Sequence, residues 1–222
     1  MLVLLPPSEG KTPARRGKPL DLATLSFPEL TSTRERVLDR LVDLAGSDPE
    51  ALRTALGLSV RQDDEIARDA ALLTAPTATA GRVYSGVLYD ALDLGSLDAP
   101  AKRRAQRSIV VASALFSALR LGDRIPAYRL SGDSVLPGLG GLPAVWRDPL
   151  ATAMTAAAGR GLVVDLRSGA YAALWKPTGD VASRTVAVRV LQEMPDGSRA
   201  VVSHFNKAHK GGLARGIVAF EQ

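Results

Sequence analysis

Leu2-Val3-Leu4-Leu5-Pro6-Pro7-Ser8-Glu9-Gly10-Lys11-Thr12 opens the chain after its first methionine. Four consecutive apolar residues closed by two prolines read as a short buried strand, since proline has no N–H to continue a ladder. The β-branched run Ile109–Ala112 and the run Leu162–Leu166 read the same way. Between these strands the apolar spacing is helical. Thr31 to Thr33 can cap a helix through Leu44, with Val37, Leu38, Leu41, Val42 and Leu44 on one stripe. Ser47-Asp48-Pro49-Glu50 places a second helix start, stopped at Gly57, and Ser59 a third helix to Leu73 whose acidic residues Asp63, Asp64, Glu65 and Asp69 face outward.

Further helices are expected over Tyr84–Leu92, Ala99–Gln106, Ser113–Leu119, Trp146–Ala158 and Asn206–Phe220. Leu136–Pro143 is expected as a Gly/Pro loop. Thr185–Val190 and Ala200–Phe205 should form a hairpin about Pro195-Asp196-Gly197-Ser198. Strands and helices alternate irregularly, which predicts an α+β fold, a mixed sheet enclosed by helices, rather than a regular doubly wound one.

The sequence has 222 residues, 46% hydrophobic and 23% charged, and no cysteine. A chain of this length buries roughly 70% of its extended surface, so one domain spanning residues 1–222 needs neither metal nor disulfides. The lack of cysteine excludes disulfide frameworks, thiolate metal sites and thiol chemistry. The N-terminal apolar run is too short for a signal peptide, and no segment has 18 successive apolar residues, so a cytoplasmic protein with no membrane partner is expected.

The 28 basic and 23 acidic side chains give a net charge of +5. Lys102, Arg103, Arg104, Arg107, Arg120, Arg124 and Arg129 crowd one stretch against Asp123 alone, and Lys11, Arg15, Arg16 and Lys18 crowd another against Glu9. Converging in space they would attract phosphates; apart, they are solvated faces.

Individual motifs are suggestive in part. Gly10-Lys11-Thr12 ends like a phosphate loop, but Leu5 stands where the first glycine belongs and Pro13 where a helix should start. Ser8 and Lys11 have the Ser-x-x-Lys spacing of a serine nucleophile with a lysine base, though in a loop rather than on a helical turn. Ser8, Lys11 and Thr12 remain candidates for phosphate contact after a strand end. His204 and His209 lie five apart, the wrong spacing for two ligands on one helical face, and no metal or cofactor is expected. Gly138-Leu139-Gly140-Gly141 lacks the dinucleotide-binding spacing. On the last helix Lys207, Lys210 and Arg215 share one side and Leu213, Ile217 and Phe220 the other. Gly211 and Gly212 are costly there, by roughly 1 kcal/mol each, which suggests close approach of a backbone or ligand, or a break.

Several stretches, in order along nearly the whole chain, resemble the YaaA family of peroxide-stress proteins. They are the strand running into Pro7–Thr12, Val83–Gly86, Ser113–Arg120, Ile125–Leu130, Val164–Tyr171 and Ser203–Arg215. The resemblance implies a central barrel-like sheet enclosed by helices, a positively charged cleft, and a helix-hairpin-helix-like element at Ser113–Leu130, where only Gly122 stands for the usual two glycines. It also implies binding to double-stranded or branched DNA, without sequence preference, and protection of DNA during peroxide stress. Lys11, Arg120, Arg129, Lys207, Lys210 and Arg215 would then contact phosphates, helped by Thr12 and Ser168, with Tyr84, Tyr128 and Tyr171 available to stack on a displaced base. The alternative is a glycosylase-like hydrolase acting on a nucleobase or nucleotide, with Ser8 or Lys11 as nucleophile and Asp165 as carboxylate. Asp165 ends a buried strand in basic surroundings, so it is expected to be structural, accepting backbone N–H groups or pairing with an arginine, with a lowered pKa. A scaffold with an incidental basic patch is the third reading.

Overall fold

The computed structural model describes residues 1–193, 199–201 and 206–220. Its strands are β1 (Leu2–Leu5), β2 (Ala78–Thr79), β3 (Ile109–Ser113), β4 (Ser117–Arg120), β5 (Arg124–Ile125), β6 (Val135–Leu136), β7 (Gly140–Gly141), β8 (Val163–Asp165), β9 (Thr185–Ala187), β10 (Leu191–Glu193) and β11 (Arg199–Val201). The α-helices are α1 (Thr31–Ser47), α2 (Pro49–Ala55), α3 (Asp63–Ala70), α4 (Ala80–Val83), α5 (Val87–Leu92), α6 (Ala99–Ser108), α7 (Leu142–Ala158), α8 (Gly169–Ala172), α9 (Gly179–Ser183) and α10 (Asn206–Phe220).

The main sheet has the order β4-β3-β1-β8-β9. β1 lies at its centre, parallel to β3 (Val3 opposite Ile109) and to β8 (Leu4 opposite Asp165). Every β1 residue is buried, as an uninterrupted apolar run requires when both faces are covered. Side chains from β1, α1, α7 and α10 join one hydrophobic cluster. Among the described residues no helix is long and apolar enough to cross a membrane.

The sheet is open, with β4 and β9 as edges, so the expected barrel-like closure does not form. Strands of three to five residues are too short for the stagger that closure demands.

The segment expected as a helix at Ser113–Leu119 is a tight hairpin, and β4 runs antiparallel to β3. Residues 113–119 are all buried, so their spacing carries no face information, and a left-handed Ser117 (φ 67°) turns the chain. Ser113 Oγ accepts the Phe116 N–H at 2.9 Å across the turn. The Ser113–Leu130 stretch therefore contains β4, β5 and turns but no helix, and the helix-hairpin-helix expectation is overturned there. Arg34, fully buried in α1, locks this hairpin by donating to the Phe116 and Ala118 carbonyls at 3.0 and 2.8 Å.

Other boundaries differ as well, and the Leu136–Pro143 stretch expected as a loop carries β6 paired antiparallel with β7 and then the start of α7. Tyr84 stands outside any helix, at the end of α4, and a left-handed Gly86 (φ 93°) starts α5 afresh. Thr185–Ala187 joins the main sheet parallel to β8, and Leu191–Glu193 pairs antiparallel with Arg199–Val201 instead. The expected turn at Pro195–Ser198 and residues 202–205 lie outside the described residues. α7 starts at Leu142 with Pro143 in its first turn, where a missing N–H costs nothing.

Candidate functional site

Parallel strands leave their carboxyl ends at one end of a sheet, and crevices open where successive connections leave in opposite directions. Here β3 lies on one side of β1 and β8 on the other. A cavity of about 630 Å3 lies beyond the carboxyl ends of β1 and β8. Its wall is built from the loop after β1, the Ser85–Leu88 corner, the Arg129–Ser131 loop, the segment after β8, and the amino end of α10.

Backbone pairing fixes the first of these. Lys11 forms a β-bridge with Tyr84, Thr12 N–H donates to the Val83 carbonyl at 2.8 Å, and the Tyr89 side-chain hydroxyl adds a bond to the Pro6 carbonyl at 2.8 Å. Ser8 Oγ donates to the Gly10 carbonyl at 2.5 Å and accepts the Ser85 N–H at 3.0 Å. The Lys11 amine donates to the carbonyls of Ser8 (3.1 Å) and Glu9 (3.4 Å), so the Ser8 hydroxyl serves the loop rather than a Ser–Lys dyad.

Lys11 lies over aromatic rings. Its Nζ is 4.3 Å from the Tyr128 ring centroid and 5.9 Å from that of Tyr84. The two tyrosine hydroxyls bond each other at 2.9 Å, and that of Tyr128 also meets Ser113 Oγ at 2.8 Å. Burial, reinforced by the nearby Arg129 charge, pulls the Lys11 amine down to about 8 from 10.5, against the opposing charges of Asp69, Glu65 and Glu9.

Three more cations reach the cavity. Lys207 is exposed at the amino end of α10. Lys210, one turn on, is buried and donates to the Arg167 carbonyl at 3.3 Å, and burial lowers its pKa. Arg129 donates to Glu9 at 2.8 Å, a bond that holds the Glu9 carboxyl below its usual 4.5.

A family model described as "Peroxide stress protein YaaA" matches residues 1–221. The chain belongs to the YaaA family. A UPF0246 protein of Streptomyces coelicolor is 57% identical over 219 residues, covering 99% of this chain and 83% of that protein. UPF0246 proteins of Corynebacterium efficiens and of a Ruegeria species are similar as well. The first is 46% identical over 217 residues, covering 97% of this chain and 84% of that protein. The second is 30% identical over 201 residues, covering 84% and 78%.

Of the YaaA-like segments, the structure brings Ser8, Lys11, Arg129, Ser168, Tyr171, Lys207 and Lys210 to the cavity wall. Others go elsewhere. Arg120 pairs opposite Val110 toward the amino end of β3, away from the cavity end of the sheet, and donates to the Arg107 carbonyl at 2.6 Å. Arg215 donates to the Leu92 and Asp93 carbonyls at 3.1 and 2.8 Å, capping the end of α5. Thr12 is exposed beyond the cavity wall. Tyr84 and Tyr128 are each 2% exposed, so they floor Lys11 and cannot stack on a base; Tyr171 keeps a face in the cavity. Asp165 accepts both ends of the Arg167 fork, at 2.9 and 2.7 Å, and the Arg167 N–H at 3.0 Å, the pairing expected of its strand-end position. His204 lies outside the described residues. Among those described, no group of three or more His, Asp or Glu side chains is placed to hold a metal ion.

Sequence reasoning missed Asp69. Expected on an outer acidic face, it is fully buried, with Oδ1 accepting the Arg129 N–H at 2.8 Å and Oδ2 without a hydrogen-bond partner among the described residues. The signal was present, since Asp69 lies at i+3 from Ile66 and i−3 from Leu72, both buried. Burial lifts its carboxyl to about 7, opposed by the Arg129 N–H and the Lys11 charge.

Proposed function

We propose that this chain is a cytoplasmic peroxide-stress protein that binds double-stranded or branched DNA, without sequence preference, through the cavity at the carboxyl ends of β1 and β8, and so limits oxidative damage to DNA. The observation that carries this is convergence. Lys11, Arg129, Lys207 and Lys210 come from three separate segments of sequence to one concavity, where Glu9 is the acid among the lining residues. Cations concentrated in a concave wall attract phosphates, and such contacts carry no sequence preference. Lys207 is the exposed one and the natural first phosphate contact, with Tyr171 beside the cavity for a base to stack on. The hydrolase alternative loses its carboxylate, because Asp165 is held by the Arg167 fork and is not among the lining residues.

The test is the salt dependence of duplex binding, followed by fluorescence anisotropy on oligonucleotides of unrelated sequence. Three phosphate contacts give a slope of about −3 in log affinity against log salt. Lys207→Ala should flatten the slope by about one at every sequence tried. A salt-independent affinity, or a slope that Lys207→Ala leaves untouched, would place binding outside the cavity.

A further inference from the structure

Lys11 differs from the other lysines of the cavity in what holds its amine. The floor beneath it is fixed, because the Tyr84 and Tyr128 hydroxyls are committed to each other and to Ser113. Two carbonyls, those of Ser8 and Glu9, take two N–H groups. A neutral amine has two N–H groups and one lone pair, so the neutral form satisfies both carbonyls and keeps the lone pair uncommitted. Lys11 titrates near 8, with the charges of Arg129, Asp69, Glu65 and Glu9 and the rings of Tyr84 and Tyr128 facing it. Roughly a quarter of such an amine is neutral at pH 7.5. A desolvated lysine beside another cation in a cavity is a nucleophile toward carbonyl carbon. In the same cavity, Lys207 and Arg129 bring further positive charge for a phosphate on the same molecule.

We propose that Lys11 is a covalent nucleophile for an aldehyde flanked by phosphates, namely the open-chain C1′ of a deoxyribose in DNA that has lost its base. The Nζ lone pair adds to C1′, and the carbonyl pair moves to oxygen, which takes a proton shed by the nitrogen. The carbinolamine oxygen then takes a second proton from solvent in the open cavity and leaves as water. Overall, one aldehyde and one Lys11 ammonium give one protonated imine and one water, with charge conserved and no oxidant or reductant consumed. Hydrolysis runs the same steps backward and releases the sugar. The consequence is a reversible covalent hold on a damaged site, added to the non-specific phosphate contacts.

The proposal rests on reading the cavity as a DNA site, and the experiment separates the two. The full chain is incubated with sodium cyanoborohydride, which reduces an imine to a permanent secondary amine. Three ligands are compared: a duplex with one base-free deoxyribose, the intact duplex, and ribose 5-phosphate. The expected result is a denaturant-resistant adduct with the base-free duplex alone, mapped by peptide mass to Lys11, with yield half-maximal near pH 8. Lys11→Arg and Lys11→Met should lower the yield at least 100-fold. The mapping on the parent protein decides the question even if a variant folds poorly. An adduct on the Met1 amine or on Lys207 instead of Lys11 overturns the proposal. So does no adduct with the base-free duplex while the intact duplex still binds, which leaves the binding function standing. Loss of both adduct and binding overturns both. Trapping of ribose 5-phosphate at Lys11 without trapping of the duplex overturns DNA as the source of the aldehyde.

Discussion

A carboxyl group with a buried, unsatisfied oxygen is an expensive residue, and Asp69 carries one. Its folded-state pKa of about 7 stands above the 3.8 of an ordinary aspartate, so the folded protein holds that proton more tightly than the unfolded chain does. Stability from this group is therefore complete below about pH 4 and is lost as pH rises toward 7. Asp69→Asn keeps an acceptor for the Arg129 N–H and removes the ionisation. Urea unfolding at pH 5 and pH 8 should show the parent losing stability relative to this variant on going to the higher pH, and parallel pH trends in both proteins would refute the assignment. At this scale the sequence was partly legible. Lys11, Arg129, Lys207 and Lys210 were found because they are basic and lie in YaaA-like segments. Tyr84 and Tyr128 were misassigned because an aromatic ring looks the same in sequence whether it faces solvent or floors a buried ammonium. The YaaA resemblance marked their segments without telling which side of the backbone faces the cavity.

Helix α10 reaches the cavity only because it can lie close against α5. A β-carbon on Gly211 would come 2.1 Å from the Leu88 carbonyl oxygen and 2.9 Å from the Ala91 β-carbon, so this glycine answers the close-approach reading of the Gly211-Gly212 pair. At Gly212 an added β-carbon meets nothing within 4 Å. Gly211→Ala should thus destabilise by about 1–3 kcal/mol through overpacking, and weaken DNA binding by shifting Lys207 and Lys210. Gly212→Ala should stabilise by about 1 kcal/mol. Thermal melts of the two variants check this, and similar shifts for both would refute the packing account. α1 and α7 were legible because each alternates a buried face with an exposed one. α10 was legible as a helix but not in its facing, since Leu213 and Phe220 of its apolar side are exposed while Lys210, Ala214 and Val218 are buried. The β3–β4 hairpin was not, since Ala114 to Leu119 is buried on every side and a hairpin of apolar residues has no period to distinguish it from a helix.

On the scale of the molecule, charge density in the sequence misled about charge in space. Of the basic run between positions 100 and 129, Lys102, Arg104, Arg120 and Arg124 donate to backbone carbonyls, and Arg104 does so to Val218 and Ala219 at the end of α10. Arg129 is the member of that run that lines the cavity. Arg120→Ala should accordingly cost about 1–2 kcal/mol of stability and leave the salt slope of DNA binding unchanged. A slope flattened by one unit would return Arg120 to the interface. Strand order was illegible for a related reason. β1 pairs with β3 and β8, more than a hundred residues distant, and nothing local in an apolar run names its partner. The same long reach has a consequence in time. Two parts of the cavity wall, the Ser8–Lys11 loop and Asn206–Lys210, lie about 200 residues apart in the sequence. At 5–20 residues per second the nascent chain spends roughly 10–40 s with Lys11 already synthesised and the α10 part of the wall not yet made. A chain in which only the first of these segments has been made therefore lacks part of the cavity wall, and under the proposed function it gains its grip on DNA only once α10 is in place.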